Sequence, residues 1–280
     1  MSGYLTLTRA RLSAFTGIAA FMGHTMGAES LTTGSIYSAL GVYLLASGAS
    51  ALNQIAERDL DILMERTKKR PLPSGTMSLG AAWLVTFLLL ASGLGTIIKF
   101  SSGPAAVLLS LGALVIYNGI YTPLKRLSGF AILVGALAGA MPTAIGWAMS
   151  GGAIASYQLA AVCLMFYLWQ MPHFWMLLAR YREDFERAGL PTPGVHLSDG
   201  QIRRVCLTWA SATSASGLML PLFGSGTGRA ALTLILVASI LLLVTGLLGV
   251  VSVVRRSYFV NTNIYILMIM LSIVSEAFYP

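Results

Sequence analysis

Charge is scarce in this chain. Only 10% of its 280 residues are Asp, Glu, Lys or Arg, 56% are hydrophobic, and the mean hydropathy is +0.77. A soluble domain carries about a quarter charged residues, so an ordinary water-soluble fold is excluded. Cysteine is nearly absent too. Cys163 and Cys206 stand far apart in apolar runs, which argues against a disulfide framework or a cysteine zinc site. The first fifteen residues lack the order of a cleaved signal peptide, so the first apolar run is expected to be retained. No soluble domain, linker or low-complexity tail stands out, and a single domain over residues 1–280 is expected.

Long apolar runs take the place of charge. They lie near 12–30, 36–55, 80–99, 104–120, 130–149, 157–179, 205–223, 230–253 and 259–279. Each approaches the ~20 residues that cross a ~30 Å hydrocarbon core as a helix. The expected fold class is therefore all-α, a polytopic membrane protein of nine transmembrane helices.

The basic residues test this count, because Lys and Arg collect on the cytoplasmic side. With the N-terminus inside, sixteen of the eighteen Lys and Arg fall in cytoplasmic segments, and only Lys99 and Arg229 fall outside. Eight of the ten acidic residues share that side, the exceptions being Glu29 and Glu276. The net charge of +8 is then wholly cytoplasmic, and the C-terminus lies on the opposite side. Such a face suits an anionic ligand, although topology control and attraction to anionic lipid explain most single Lys or Arg residues.

Two cytoplasmic connections are long, roughly 56–79 and 180–204, after the second and sixth spans. Both mix acidic with basic residues, and both carry Pro and Gly punctuation: Pro71, Pro73 and Gly75 in one, Gly189, Pro191, Pro193 and Gly194 in the other. The pattern reads as a weak internal repeat, and a site shared between the loops is the natural inference. Gly23-xxx-Gly27 and Gly135-xxx-Gly139 fit close helix packing in lipid.

The densest charge lies between Asn53 and Arg70, which holds four acidic and five basic residues behind the second span. On a continuing helix, Asn53, Glu57 and Asp61 recur at i, i+4 and i+8 and share one face. Three oxygen donors in a row make half a cage for Mg²⁺, which leaves positions for water and substrate phosphate. Asp59 points away and pairs with an Arg or supports the row from behind. A solvated helix end is the competing reading. Arg66, Lys68, Lys69 and Arg70 favour the metal, because a diphosphate needs both metal and cations.

Two further segments end on the same side. Tyr117-Asn118-xx-Tyr121-Thr122-Pro123-Leu124-Lys125-Arg126 closes the fourth span, where Lys125 and Arg126 either reach phosphate or anchor the helix at the interface. Tyr167 to Pro191 forms an aromatic and Met-lined helix leading into an acidic and basic cluster. Aromatic faces attract cations, so this helix could line the path of an allylic carbocation or hold a flat macrocycle. Ordinary packing against core or lipid is the alternative. His24 is expected to pack inside the first span and His196 to be solvated.

Together the segments resemble the UbiA-type intramembrane prenyltransferases, and within them the protoheme IX farnesyltransferases. The resemblance rests on Asn53-xxx-Glu57-Arg58-Asp59-x-Asp61-xx-Met64-x-Arg66-Thr67-xx-Arg70-Pro71-Leu72, on Tyr121-Thr122-xx-Leu124-Lys125-Arg126, and on Trp169-Gln170-Met171-Pro172-His173-Phe174 continuing into Tyr181-Arg182-x-Asp184-Phe185-xx-Ala188-Gly189-x-Pro191. Gln54 and Glu57 stand where the superfamily often has Asp. Leu7-Thr8-Arg9-Ala10-Arg11 stands where Leu-Thr-Lys-Pro-Arg is usual.

The resemblance implies a single intramembrane prenyltransferase domain, with nine helices around a central cavity capped by the cytoplasmic loops. It implies that Asn53, Glu57, Asp61 and Asp184 hold Mg²⁺ on farnesyl diphosphate. Arg66, Lys125 and Arg70 would neutralise the diphosphate, while Tyr121, Arg126, Trp169, His173, Tyr181 and Arg182 would contact substrate. Heme B would be the acceptor, with His173 orienting or ligating its iron, or serving only as a hydrogen-bonding group beside Pro172. The expected partners are these two substrates and the lipid bilayer, with no nucleic acid and with room for a heme-pathway membrane partner. Other aromatic or tetrapyrrole acceptors are the nearer alternative. A transporter is more distant, because transporters place charge at the midplane rather than at one face.

Overall fold

The computed structural model describes residues 2–191, 197–248 and 256–278. Pro193, Gly194, His196 and Arg255 lie outside the described residues. The described chain is helical and contains no strand. Its helices are α1 (Ser2–Leu7), α2 (Ala10–Ala28), α3 (Thr33–Ala56), α4 (Arg58–Leu63), α5 (Leu79–Phe100), α6 (Ala105–Leu114), α7 (Thr122–Leu124), α8 (Ala131–Met149), α9 (Tyr157–Arg180), α10 (Arg182–Arg187), α11 (Asp199–Met219), α12 (Arg229–Leu248) and α13 (Arg256–Ser275). A π-helical segment, Val115–Tyr121, joins α6 to α7.

Serine side chains start several of these helices, taking up N–H groups that have no partner within the first turn. Ser78 accepts from the Ala81 N–H before α5, Ser156 from Leu159 before α9, and Ser198 from Gln201 before α11.

Seven helical segments among the described residues are long and apolar enough to cross a membrane: α3, α5, α6 through Leu124, α8, α9, α11 through Phe223, and α12. The other two runs of the expected nine fall short of that measure. Arg11, Ser13, Thr16, His24 and Thr25 dilute the apolar character of α2, and the apolar part of α13 is the shorter stretch Phe259–Ser275.

The two charged connections have the same local form. A 24-residue helix, α3 or α9, is followed by one non-helical residue, Glu57 or Tyr181, and then by a six-residue helix, α4 or α10. The loops meet, because the Asp184 carboxylate accepts the backbone N–H groups of Glu65 at 3.0 Å and Arg66 at 3.1 Å. The internal repeat read from the sequence therefore has a structural counterpart.

Glycine lets α2 lie against its neighbours. A Cβ on Gly23 would run into the Thr143 backbone of α8, one on Gly146 into the Ala20 carbonyl, and one on Gly17 would stand 2.9 Å from the Ala39 carbonyl of α3. Such close approach suits helices that associate by packing alone in lipid. Gly135 and Gly139 serve differently, making room for the side chains of Tyr121 and Gln170.

Candidate active site

A cavity of about 410 Å³ lies between α2, α3, the end of α6, the π-helical segment, α8 and α9, with α4, Lys125 and the two charged loops at its mouth. Its walls are largely apolar. At the mouth six charged side chains converge: Arg9, Arg66, Arg70 and Lys125, with Glu57 and Asp61.

The row predicted on one helix face survives a break in the helix. α3 ends at Ala56, yet the Glu57 N–H donates to the Asn53 carbonyl at 3.0 Å and the Asp61 N–H to the Glu57 carbonyl at 2.8 Å. The i, i+4 spacing therefore continues through the break, and Asn53, Glu57 and Asp61 are all buried along one wall. Each meets a cation. Arg9 Nη2 donates to Asn53 Oδ1 at 3.2 Å, Lys125 pairs with Glu57, and Arg70 Nη1 donates to both Asp61 oxygens at 2.8 Å.

The cations are crowded. Burial, and then Arg9, lowers the pKa of both Arg66 and Arg70 below the ordinary guanidinium value, although Arg66 keeps open surface at the mouth. Burial also lowers that of Lys125, against the opposing pull of Glu57. For Arg9 burial is the largest influence and acts in the same direction, but Tyr117, Glu57, Tyr121 and Asp61 together outweigh it and raise its pKa. Four cations face two carboxylates in a partly desolvated pocket, so a polyanion placed there gains attraction that water would otherwise screen.

Ten of the expected site residues line this cavity: Asn53, Glu57, Asp61, Arg66, Arg70, Tyr121, Lys125, Trp169, His173 and Tyr181. Arg66 lies over the Tyr181 ring, 5.0 Å from its centroid. Three expected residues do not line it. Arg126 turns outward to form a two-point pair with Asp59, at 2.9 and 3.0 Å. That hydrogen bond holds the Asp59 pKa below the usual carboxylate range. Arg182 lies near Asp199 and donates to the Leu197 carbonyl. Asp184 is taken by the Glu65 and Arg66 N–H groups and by Arg187 at 2.9 Å.

Among the described residues no three His, Cys, Asp or Glu side chains converge as a metal cluster. Asp184, the fourth residue expected of the metal set, stands apart from the other three, its carboxylate taken up in joining the loops. Asn53, Glu57 and Asp61 do fit Mg²⁺ as a donor set. All three are hard oxygen donors, one turn apart on one wall, and leave coordination positions to substrate oxygens and water.

A family model described as the UbiA prenyltransferase family matches residues 13–248. The chain belongs to this family. It is 43% identical over 222 residues to the protoheme IX farnesyltransferase of Geobacter sulfurreducens, covering 79% of this chain and 81% of that one. Two solved structures share its fold. A UbiA homolog from Aeropyrum pernix K1 aligns at TM-score 0.74 and 23% identity, over 95% of this chain and 98% of that one. A UbiA homolog from Archaeoglobus fulgidus bound to GPP and Mg²⁺ aligns at TM-score 0.72 and 18% identity, over 99% and 98%.

In this UbiA family member the sequence reading left Arg9 and Tyr117 out of the site. Arg9 stands between α1 and α2 with φ +45°, a left-handed conformation uncommon for a residue with a side chain. Its Nη1 donates to the Tyr117 hydroxyl at 3.3 Å. Gln54 anchors the approach, donating from Nε2 to the Thr6 and Leu7 carbonyls at 2.8 Å. An Asp, common at this position in the superfamily, would have no donor for those carbonyls. The available signal was the basic residue in Leu7-Thr8-Arg9-Ala10-Arg11; its meeting with Asn53 depends on the fold.

Deeper in the cavity the polar groups thin out. Trp169 donates from its indole N–H to the Thr262 carbonyl at 2.7 Å and stacks on Phe15 at 5.5 Å. His173 lies 4.6 Å from the Phe259 ring and 5.6 Å from Trp169, and its buried Nδ1 has no hydrogen-bond partner. α9 passes through Pro172 without a break.

Proposed function

We propose that this protein transfers a farnesyl group from farnesyl diphosphate to a vinyl group of heme B, giving heme O, in a Mg²⁺-dependent reaction within the membrane. The observation that carries the reading is the convergence of four cations, two carboxylates and an amide oxygen at the mouth of an otherwise apolar cavity. An isoprenoid diphosphate has the matching form, a polyanionic head on an apolar tail. The heme assignment is supported by relatives named protoheme IX farnesyltransferase at 34–43% identity.

In this reading α2 and α13 complete nine spans, and the mouth faces the cytoplasm, as the clustering of Lys and Arg suggests. Asn53, Glu57 and Asp61 would hold Mg²⁺, which when bound supplies charge stabilisation to the departing diphosphate. Arg9, Arg66, Arg70 and Lys125 neutralise the same head group, and their attraction grows as the allylic C–O bond ionises and negative charge accumulates on the leaving oxygen. The apolar walls exclude water, so the allylic cation meets the vinyl carbon before hydrolysis. The terminal vinyl carbon bonds to C1 of the farnesyl cation as diphosphate departs, and the positive charge left on the adjoining carbon is taken by a single admitted water, which loses a proton to give the hydroxyethylfarnesyl product. Trp169, Phe174 and Phe259 offer flat surfaces beside His173, whose free Nδ1 is available to a macrocycle or its iron.

The test is farnesyl transfer by the purified protein in detergent with heme B and Mg²⁺. Product with a quinone precursor but none with heme B would overturn the acceptor. A heme B spectrum adds a second readout, with the expected Soret shift weakened in His173→Ala. No shift with either protein would remove heme from the reading.

A further inference from the structure

We propose that Val42, Leu45 and Ile145 form a rigid floor that measures the prenyl chain and sets which diphosphate the cavity accepts. The proposal rests on the prenyl-diphosphate reading above.

From the mouth, α3 lines the cavity along a single face: Asn53, Ser50, Ala49, Ala46, Leu45 and Val42. Eleven residues separate Asn53 from Val42, roughly 16 Å of helix at about 1.5 Å per residue. α8 gives a similar depth, since its lining runs from Ala131 to Ile145, roughly 21 Å by the same rise. The polar groups are confined to the first part of that path. Below Asn53 and Ser50 the α3 wall is Ala49, Ala46, Leu45 and Val42, a lining suited to a hydrocarbon tail and to no charged ligand.

The far end is lined by packed side chains. Val42 is 2% exposed, Leu45 4% and Ile145 1%, and all three belong to an apolar cluster with Ala20, Ile97, Ala106, Ala148 and Met149. The backbone behind them has little freedom to recede. Gly146, next to Ile145, packs on the Ala20 carbonyl, and Gly17 packs on the Ala39 carbonyl one turn from Val42. Helices in backbone contact cannot move apart for a longer ligand without losing that packing. Tail length is therefore limited by side-chain volume at the floor. A shorter tail leaves apolar surface unfilled, and a longer one meets the floor before its diphosphate reaches Asn53 and Lys125.

The experiment compares geranyl, farnesyl and geranylgeranyl diphosphates with Mg²⁺, in wild type, Ala46→Phe and the double variant Val42→Ala with Ile145→Ala. It reads the ratios of kcat/KM and the thermal stabilisation each diphosphate gives. Ratios within one variant cancel any general loss of folded enzyme. Ala46→Phe fills the passage above the floor and is expected to disfavour farnesyl relative to geranyl roughly tenfold or more, the scale on which a pocket discriminates small apolar differences. The double variant is expected to shift preference toward geranylgeranyl. Unchanged ratios and unchanged stabilisation orders in both variants would overturn the floor while leaving the prenyltransferase reading intact. If wild type is neither turned over nor stabilised by any of the three, the prenyl-diphosphate reading fails, and the floor with it.

Discussion

Arg9 Nη2 meets Asn53 Oδ1 at 3.2 Å across 44 residues of sequence, bringing the start of α2 to the end of α3 at the mouth of the cavity. The same asparagine donates from Nδ2 to the Thr122 hydroxyl at 3.1 Å, so one buried amide ties three segments together. Arg9 thus belongs to the charged mouth as fully as Lys125 or Arg70. Replacing it by Ala is expected to lower kcat/KM for farnesyl diphosphate roughly a hundredfold, the scale for removing a donor aimed at developing negative charge. Arg9→Lys should recover part of the loss. Steady-state kinetics with a melting curve for each variant checks this, and wild-type kinetics in the folded Ala variant would remove Arg9 from the site.

Asp61 is held by Arg70 through both carboxylate oxygens. Asp61→Asn keeps the size but loses the charge, leaving a half-buried guanidinium without its counter-ion and the donor row without its terminal carboxylate. Turnover is expected to fall roughly a hundredfold or more, with a rise in the Mg²⁺ concentration for half-maximal rate. A Mg²⁺ titration of wild type and variant reads both effects, and unchanged turnover would exclude the metal role.

Gln54 holds the Thr6 and Leu7 carbonyls with one amide nitrogen. Gln54→Glu replaces that donor by an acceptor facing two carbonyls, that of Leu7 buried. The expected cost is about 1–3 kcal/mol of stability, read as a lower Tm in detergent. Activity should fall further than stability alone explains, because Arg9 lies two residues beyond the end of this anchored helix.

Asp59 and Arg126 form the exposed pair beside the site. The folded pKa of Asp59 is depressed, so its contribution to stability is present above the unfolded value and is lost as pH falls through the folded one. Asp59→Asn should therefore lower Tm slightly at neutral pH, and the difference from wild type should disappear in acid. With both groups largely open to water the effect is small. Paired melting curves across the acidic range would show a persistent gap if the aspartate acted by another route.

Much of the site could be read directly from the chain because the relevant order is local. Asn53, Glu57 and Asp61 sit four residues apart, and even where the helix breaks at Glu57 the i to i+4 hydrogen bonds keep them on one wall. Length and apolarity likewise identify most of the membrane-crossing segments from composition alone. Asp184 shows where such reasoning stops. An acidic residue in a charged loop looks the same in sequence whether it faces a metal or caps two N–H groups, and here it caps Glu65 and Arg66, 119 and 118 residues away. Arg126 and Lys125 are adjacent, yet one faces Asp59 outside and the other Glu57 inside.

The sequence by itself determined the all-α membrane character, the concentration of charge at one end and the spacing of the oxygen row, because these follow from transfer free energy and the 3.6-residue helical period. Only the tertiary structure decided which cation meets which oxygen, that the Asp184 carboxylate joins the two loops, and where the apolar cavity ends. Those are contacts between segments distant in the chain, fixed by how closely helices approach at Gly17, Gly23 and Gly146, and no local period encodes them.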